Sequence, residues 1–296
     1  MAEGFLLVDK PRGLTSHDVV SRLRRLLGER RIGHAGTLDP MATGLLVVAV
    51  GRVTRLLRFV QGRPKVYEAA MVMGVATDTL DADGAVLTRE PLPVSEAEVR
   101  SAAARFVGTI HQVPPMVSAI RIGGRRLHQL AREGEEVERE ARQVEIFALE
   151  VTDFSPCDYP EVAFTVRCST GTYVRTLADD IAHALGGRAH LSALRRTAIG
   201  SLQVGEARRL ASLEEAAAAG AGIPLLSAAD ALRDLPSVQV GPETARGVRH
   251  GTPFPAAALG AGARAPGPVR VLDSDGGLLA VYGSDGRKAR PEVVLS

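Results

Sequence analysis

The sequence predicts an α+β fold. Helix-period and strand-period segments follow one another without the regular strand–helix–strand alternation of a doubly wound sheet. Composition also shifts late in the chain: beyond residue 236, short strand-like pieces at 238–240, 269–272 and 278–282 are separated by Gly, Pro and Asp. At roughly 100–200 residues per domain, 296 residues accommodate one large unit and one small one. We place them at 1–235 and 237–296, the second being a β-rich module.

The elements are read in chain order. Residues 4–8 form a short apolar strand, and Lys10-Pro-Arg-Gly13 a turn. Val19, Val20, Leu23, Leu26 and Leu27 repeat at helical spacing, with Ser16 as the expected N-cap and Gly28 as the stop. Residues 31–44, rich in Gly, Thr and Pro, form a loop that feeds 45–50, an uninterrupted apolar run of the kind that is buried on both faces of a sheet. Strands are expected at 66–73 and 162–168. Ser95-Glu-Ala-Glu98 is a capping box opening a helix to about Phe106. Residues 114–144, with a basic half and an acidic half, form a polar excursion from the core. A helix over 174–185 stops at Gly186-Gly187, and 211–232 is Ala-rich and helical.

Hydrophobic residues make up 45% of the chain and charged residues 24%, as in an ordinary globular protein. No apolar run reaches the ~18 residues of a membrane span, and no signal peptide is read at the N-terminus. Cys157 and Cys168 form no CxxC pair and suit a reducing cytoplasm, as one loop thiol and one buried small hydrophobe. Net charge is only +2, but between Lys10 and Lys65 twelve basic residues face three acidic ones, Asp18, Glu29 and Asp39. An excess of that size fits a phosphate backbone, and equally a solvated basic face.

Asp39, before a proline in a glycine-bearing loop, reads by itself as a turn former. It lacks the second carboxylate of a glycoside hydrolase. Two of the four tyrosines, Tyr67 and Tyr173, stand where a strand starts and where a strand runs into a helix; each alone reads as a core aromatic. Residues 79–90 imitate the spacing of a calcium loop, but its first ligand would be Thr79 and the flanking helices are missing. Zinc spacing, a Walker loop and a dinucleotide fingerprint are all absent.

Taken together, Lys10-Pro-Arg-Gly-Leu-Thr-Ser16, Gly33-His-Ala-Gly-Thr-Leu-Asp39-Pro-Met-Ala-Thr-Gly44, Lys65-Val-Tyr67, Thr77-Asp-Thr-Leu-Asp-Ala-Asp-Gly84, Pro114-Pro-Met-Val-Ser-Ala119 and Gly171-Thr-Tyr-Val-Arg-Thr176 resemble, in order and spacing, the bacterial TruB family of tRNA pseudouridine synthases. The resemblance spans about residues 4–200. It implies a mixed, largely antiparallel sheet with flanking helices, a thumb insertion at 114–144 and a PUA-like tail. The implied activity is isomerisation of uridine 55 in the tRNA T loop, with no cofactor and no metal. Asp39 is then the essential aspartate. Tyr67 stacks on the target base and is a candidate proton acceptor. Tyr173 and Arg175 line the pocket, with Arg175 bridging Asp39, and Leu194 forms an apolar wall. His34 holds the T loop with its base flipped out, and Lys10 and Arg55 bind substrate; many members carry Lys where this chain has Arg55. The aspartates of 77–84 become structural. The expected partner is the tRNA T arm, bound by a cytoplasmic monomer without membrane or protein partner.

The chemistry asks for these residue types. Flipping the uridine costs a few kcal/mol, which phosphate contacts and a stacking ring worth about 1–3 kcal/mol offset. A cation near an aspartate lowers its pKa by about 1–3 units, so Arg175 would keep Asp39 ionised. Asp39 then serves as nucleophile or as base. Two rivals are a non-catalytic RNA-binding or RNA-folding protein, for which Asp39, Tyr67 and Arg175 need not occur together, and a nucleotide hydrolase, which would need a metal or a second carboxylate.

Overall fold

The computed structural model describes residues 3–116, 121–122, 125–126 and 137–295. About half of the expected thumb at 114–144, residues 117–120, 123–124 and 127–136, lies outside the described residues.

The chain begins with β1 (Gly4–Lys10), α1 (Ser16–Leu27), β2 (Ile32–His34), β3 (Thr43–Val50) and α2 (Leu57–Gln61). Next come β4 (Lys65–Met73), the hairpin β5 (Val75–Thr77) and β6 (Val86–Arg89), α3 (Glu96–Ala104) and β7 (Gly108–Gln112). A small pair, β8 (Arg121–Ile122) and β9 (Arg125–Arg126), precedes β10 (Arg142–Ser155), β11 (Glu161–Cys168), α4 (Val174–His183) and β12 (Ala189–Ile199). β13 (Leu202–Gln203), β14 (Arg208–Arg209) and α5 (Leu210–Ala218) follow.

One ten-stranded sheet, β14-β1-β3-β12-β4-β11-β10-β7 with β2 on β3 and β13 on β12, organises this part. Only β1/β14 and β3/β12 are parallel, so the sheet is mixed and largely antiparallel as expected. The β3/β12 contact, Thr43 with Arg195 and Gly44 with Arg196, is a seam between two half-sheets. Bidentate bonds from Arg195 to Asp9, 3.0 and 2.9 Å, span it.

The apolar run 45–50 is buried on both faces. Leu45, Val47 and Ala49 join Phe5, Leu7, Val53 and Leu56 in one core. Leu46, Val48 and Val50 join Val19, Leu23 and Leu213 in another. In the second half-sheet, Met71, Met73, Phe164 and Leu191 pack against Val99 of α3 and Leu177 and Ile181 of α4.

Several local expectations shift. Thr15, not Ser16, caps α1, in a box with Asp18, while Gly28 ends the helix at φ 61°. The expected loop 31–44 contains β2, because β3 offers its Val48–Val50 edge to Ile32–His34. The Ala-rich stretch is two helices, α5 and α6 (Ala228–Ala231), since Gly220, Gly222 and Pro224 interrupt it.

The tail forms a five-stranded sheet from β15 (Ser237–Gln239), β16 (Phe254–Pro255), β17 (Gly267–Leu272), β18 (Leu278–Ser284) and β19 (Lys288–Val294), in order β15-β17-β18-β19-β16. α7 (Pro242–Arg249) packs on it. Val281 and Val293 belong to the same core as Phe5 and Leu45, so the two sheets share apolar contact.

Gly44 makes the seam possible. It has φ 99°, and a Cβ there would stand 2.3 Å from the Arg196 carbonyl oxygen, which is backbone and cannot swing away. Gly44→Ala is expected to lower the unfolding free energy by at least about 2 kcal/mol, read as an earlier urea midpoint.

Candidate active site

The loop bearing Asp39 is fixed residue by residue. Ala35 N–H donates to the Val47 carbonyl at 2.8 Å. Arg196 reaches across the seam and donates to the carbonyls of Leu45 (2.8 Å), Gly36 (3.1 Å) and Thr37 (3.5 Å). The Ser16 hydroxyl accepts from Leu38 N–H at 2.8 Å and donates to its carbonyl at 3.2 Å. The Pro40 carbonyl receives Gly13 N–H at 2.8 Å.

Arg175, the second residue of α4, comes from the opposite half-sheet. Its Nε stands 3.0 Å from Asp39 Oδ2, and its Nη1 donates to the Thr79 carbonyl at 2.6 Å and faces Asp81 Oδ2 at 3.4 Å. Its side chain is 3% exposed whereas that of Asp39 is 34% exposed, so the carboxylate is open to a visitor and the cation behind it is not. The calcium-like spacing of 79–90 thus serves another purpose: Asp81 takes the Thr79 hydroxyl at 2.7 Å and Asp83 N–H at 3.2 Å, and the loop cradles Arg175.

Asp39 opens into a cleft of about 260 Å³, lined also by Lys65, Tyr67, Tyr173, Leu194 and Arg196. That volume lies below the ~300–1,000 Å³ of drug-sized pockets. Lys65 and Tyr67 share one face of β4 by strand alternation. On β12 a bulge between Leu191 and Ala193 changes phase, so Leu194 and Arg196 turn to the buried side, with Arg196 opposite Tyr67.

Burial pushes the Asp39 carboxyl above its ordinary range. Arg175 opposes this, Asp81 adds to it, and Lys10 pulls it back. The arginine therefore moderates the rise without reversing it, where the sequence had suggested a net depression. Burial likewise raises the Tyr67 phenol, against Arg196, so Tyr67 is neutral around pH 7. Burial lowers Lys65 to about 8, helped by Arg196, and its ammonium donates to the carbonyls of Gln61 (2.9 Å) and Arg63 (3.0 Å).

The structure thus brings together Asp39, Tyr67, Tyr173, Arg175 and Leu194. It does not bring Lys10, His34 or Arg55 to the cleft. The Lys10 side chain is fully buried, and its ammonium donates to the carbonyls of Leu14 (2.6 Å), Pro11 (3.0 Å) and Pro40 (3.4 Å). It steadies the Asp39 loop from behind. Arg55 instead donates to the Val294 carbonyl at 3.2 Å, tying the main body to the tail. His34 is half-buried on β2, and desolvation lowers its pKa, so its ring is neutral. Sequence reasoning missed Lys65 and Arg196 as pocket residues. Cys168 is buried with its thiol pushed up to about 11, and Cys157 is exposed, as read from the sequence.

Fold and site together place a half-exposed carboxylate, backed by a buried cation, in a cleft walled by two tyrosines and a leucine. The fold is shared with an H/ACA RNP bound to a substrate RNA containing 2′-deoxyuridine (TM-score 0.74, 24% identity, 99% of this chain and 85% of that one). It is shared also with an archaeal box H/ACA sRNP Nop10–Cbf5 complex (TM-score 0.72, 25% identity, 98% and 85%). Residues 24–174 match the N-terminal domain of TruB family pseudouridylate synthases, 175–233 a tRNA pseudouridylate synthase B C-terminal domain, and 235–296 a tRNA pseudouridine synthase II C-terminal domain. The chain belongs to the TruB family of pseudouridylate synthases. A tRNA pseudouridine synthase B of Thermobifida fusca (strain YX) is 44% identical over 302 residues, covering 100% of this chain and 99% of that one. Another, of Ralstonia nicotianae, is 44% identical over 299 residues, covering 99% and 94%.

Because the folded pKa of Asp39 lies above its unfolded value, ionised Asp39 costs stability at neutral and higher pH. The cost fades as pH falls through the folded pKa towards the unfolded one. The urea midpoint of Asp39→Asn, taken relative to the parent's, is therefore expected to rise between about pH 3.5 and pH 8. Loss of the anion beside Arg175 adds a destabilising offset at every pH, and the rise across pH is the readout.

Proposed function

We propose that this chain converts uridine 55 in the T loop of tRNA to pseudouridine, with Asp39 as the catalytic residue. The observation that carries the proposal is the Asp39–Arg175 contact of 3.0 Å inside a cleft walled by two tyrosines and a leucine. The reaction breaks N1–C1′ and forms C5–C1′. The C5 proton leaves, and N1 gains one, so atoms balance without oxidant, water or cofactor. The target base must leave its stack to reach Asp39. Tyr67 offers its ring to that base, and Leu194 closes the apolar side. Addition of the carboxylate to C1′ and removal of the 2′ proton both require Asp39 ionised, and the Arg175 guanidinium favours that form. Tyr67, neutral and facing Arg196, relays a proton rather than storing a charge.

The chain is read as a monomer working on the T arm of tRNA. Among the described residues no helix is long and apolar enough to cross a membrane, in keeping with a site of action in the cytoplasm where tRNA is met. The division at 235–237, with residues 1–235 catalytic, the 237–296 sheet a PUA-like RNA-binding module and 114–144 a clasp on RNA, completes the reading. His34, with a neutral ring, would hold the loop by packing or a single hydrogen bond rather than by charge.

Purified protein incubated with tRNA transcript tritiated at uridine C5 should release tritium to water, and a transcript with a cytidine at position 55 should release none from that site. Asp39→Asn should release less than about a thousandth of the parent's tritium while binding tRNA within a few fold; normal turnover by that variant would sink the assignment. Tyr67→Phe keeps the stacking face and loses the hydroxyl. Its tRNA affinity should stay within a few fold while single-turnover rate falls by about 10²–10⁴, and an unchanged rate would remove Tyr67 from proton transfer.

A further inference from the structure

The wall of the cleft opposite Asp39 is the turn 169–173 between β11 and α4. It is held at both ends by strands from the far edge of the sheet. At one end Ser169 N–H donates to the Glu145 carbonyl at 2.8 Å, and the Ser169 hydroxyl accepts Glu145 N–H at 2.9 Å. At the other end Tyr173 N–H donates to Gln112 Oε1 at 3.1 Å, and Gln112 Nε2 donates to the Tyr173 carbonyl at 3.3 Å. Gln112 closes β7 and is 2% exposed.

The contact is unusual in what it grips. Tyr173 is the N-cap of α4, and its own side chain makes no capping bond. Its carbonyl already accepts the first helical bond, from Leu177 N–H at 3.0 Å. Its N–H precedes the helix and has no intrahelical acceptor. A primary amide offers an acceptor to a peptide N–H and a donor to a peptide C=O from two separate atoms, so it spans both groups of one residue. Two residues further on, Arg175 faces Asp39. Between the two anchors Gly171, at φ 87°, adds no side chain to stiffen the turn.

We propose that Gln112 is a positioning residue of the reaction, its amide clamping the Tyr173 peptide and thereby setting where the Tyr173 ring and the Arg175 guanidinium stand relative to Asp39. The proposal rests on the reading that this cleft isomerises a flipped uridine. Gln112 does not touch that base. It acts through the backbone, where a displacement of about 1 Å is enough to change rate about 10²-fold.

Two variants test it. Gln112→Met keeps length and volume and loses both hydrogen bonds. Gln112→Glu keeps the acceptor, and regains a donor only when protonated. Single-turnover tritium release, tRNA Kd and thermal midpoint are measured for each beside the parent from about pH 5.5 to 8.5. Gln112→Met should lose at least about 10-fold in single-turnover rate with tRNA Kd within about threefold. The ratio of Gln112→Glu to parent rate should be low at high pH and climb as pH falls, since protonation rebuilds the donor; the parent's own Asp39 titration cancels in the ratio. A Met variant within twofold of the parent, or a Glu-to-parent ratio flat across pH, overturns the proposal. If the Met variant fails to fold, the pH ratio of the Glu variant decides alone. A parent that releases no tritium refutes instead the reading of the cleft.

Discussion

A buried guanidinium must have its donors met, and that requirement organises the molecule around Arg175. A cation almost sealed from water is tolerable only with anions or carbonyls on several sides. Asp39, Asp81 and the Thr79 carbonyl supply them, each from a different direction. The loop 77–84 and the junction from β11 into α4 have the shapes they have because both must close on this one side chain. The carboxylate that opens into the cleft is also one of the groups that make the cation bearable.

Arg196 has the complementary task. It lies beneath the cleft and orients three carbonyls of the loop that carries Asp39 and the strand beyond it. With Ser16 and Lys10 it leaves the loop little freedom. The two arginines divide the work: one favours the charged form of Asp39 against burial, the other fixes the place of its loop. A stretch of Gly, Thr and Pro that would be mobile in isolation becomes rigid through contacts from residues up to 160 positions away.

That separation explains what the sequence could and could not convey. Asp39, Tyr67, Tyr173 and Arg175 were legible because each sits in a compact motif, and the motifs occur in a recognisable order. The double-sided burial of 45–50 was legible because it is a local apolar run. The burial of Lys10 was not legible because the three carbonyls that converge on its ammonium come from a turn and from a loop 30 residues away. Arg196 was missed because a bulge at Leu191–Ala193 changes which residues of β12 face inward, and strand alternation alone cannot show that. Gln112 was missed since its partner is 61 residues away. β19 was passed over because Pro291 and its charged neighbours hide a strand, with the pairing irregular where Pro291 meets Tyr282.

The short parallel seam between β3 and β12 has a consequence for how the chain becomes active. Each half-sheet on either side of it is built mostly from antiparallel neighbours, whereas the seam joins residues about 150 positions apart. Long-range parallel contacts carry the greatest loop-closure entropy and form late. Asp39 belongs to one half and Tyr67, Arg175 and Leu194 to the other. A chain in which both halves have collapsed but not yet docked would hold every residue of the active site and no active site. The cleft thus exists only once the two halves have docked across the seam, and a partly denatured molecule whose seam has opened holds no assembled cleft.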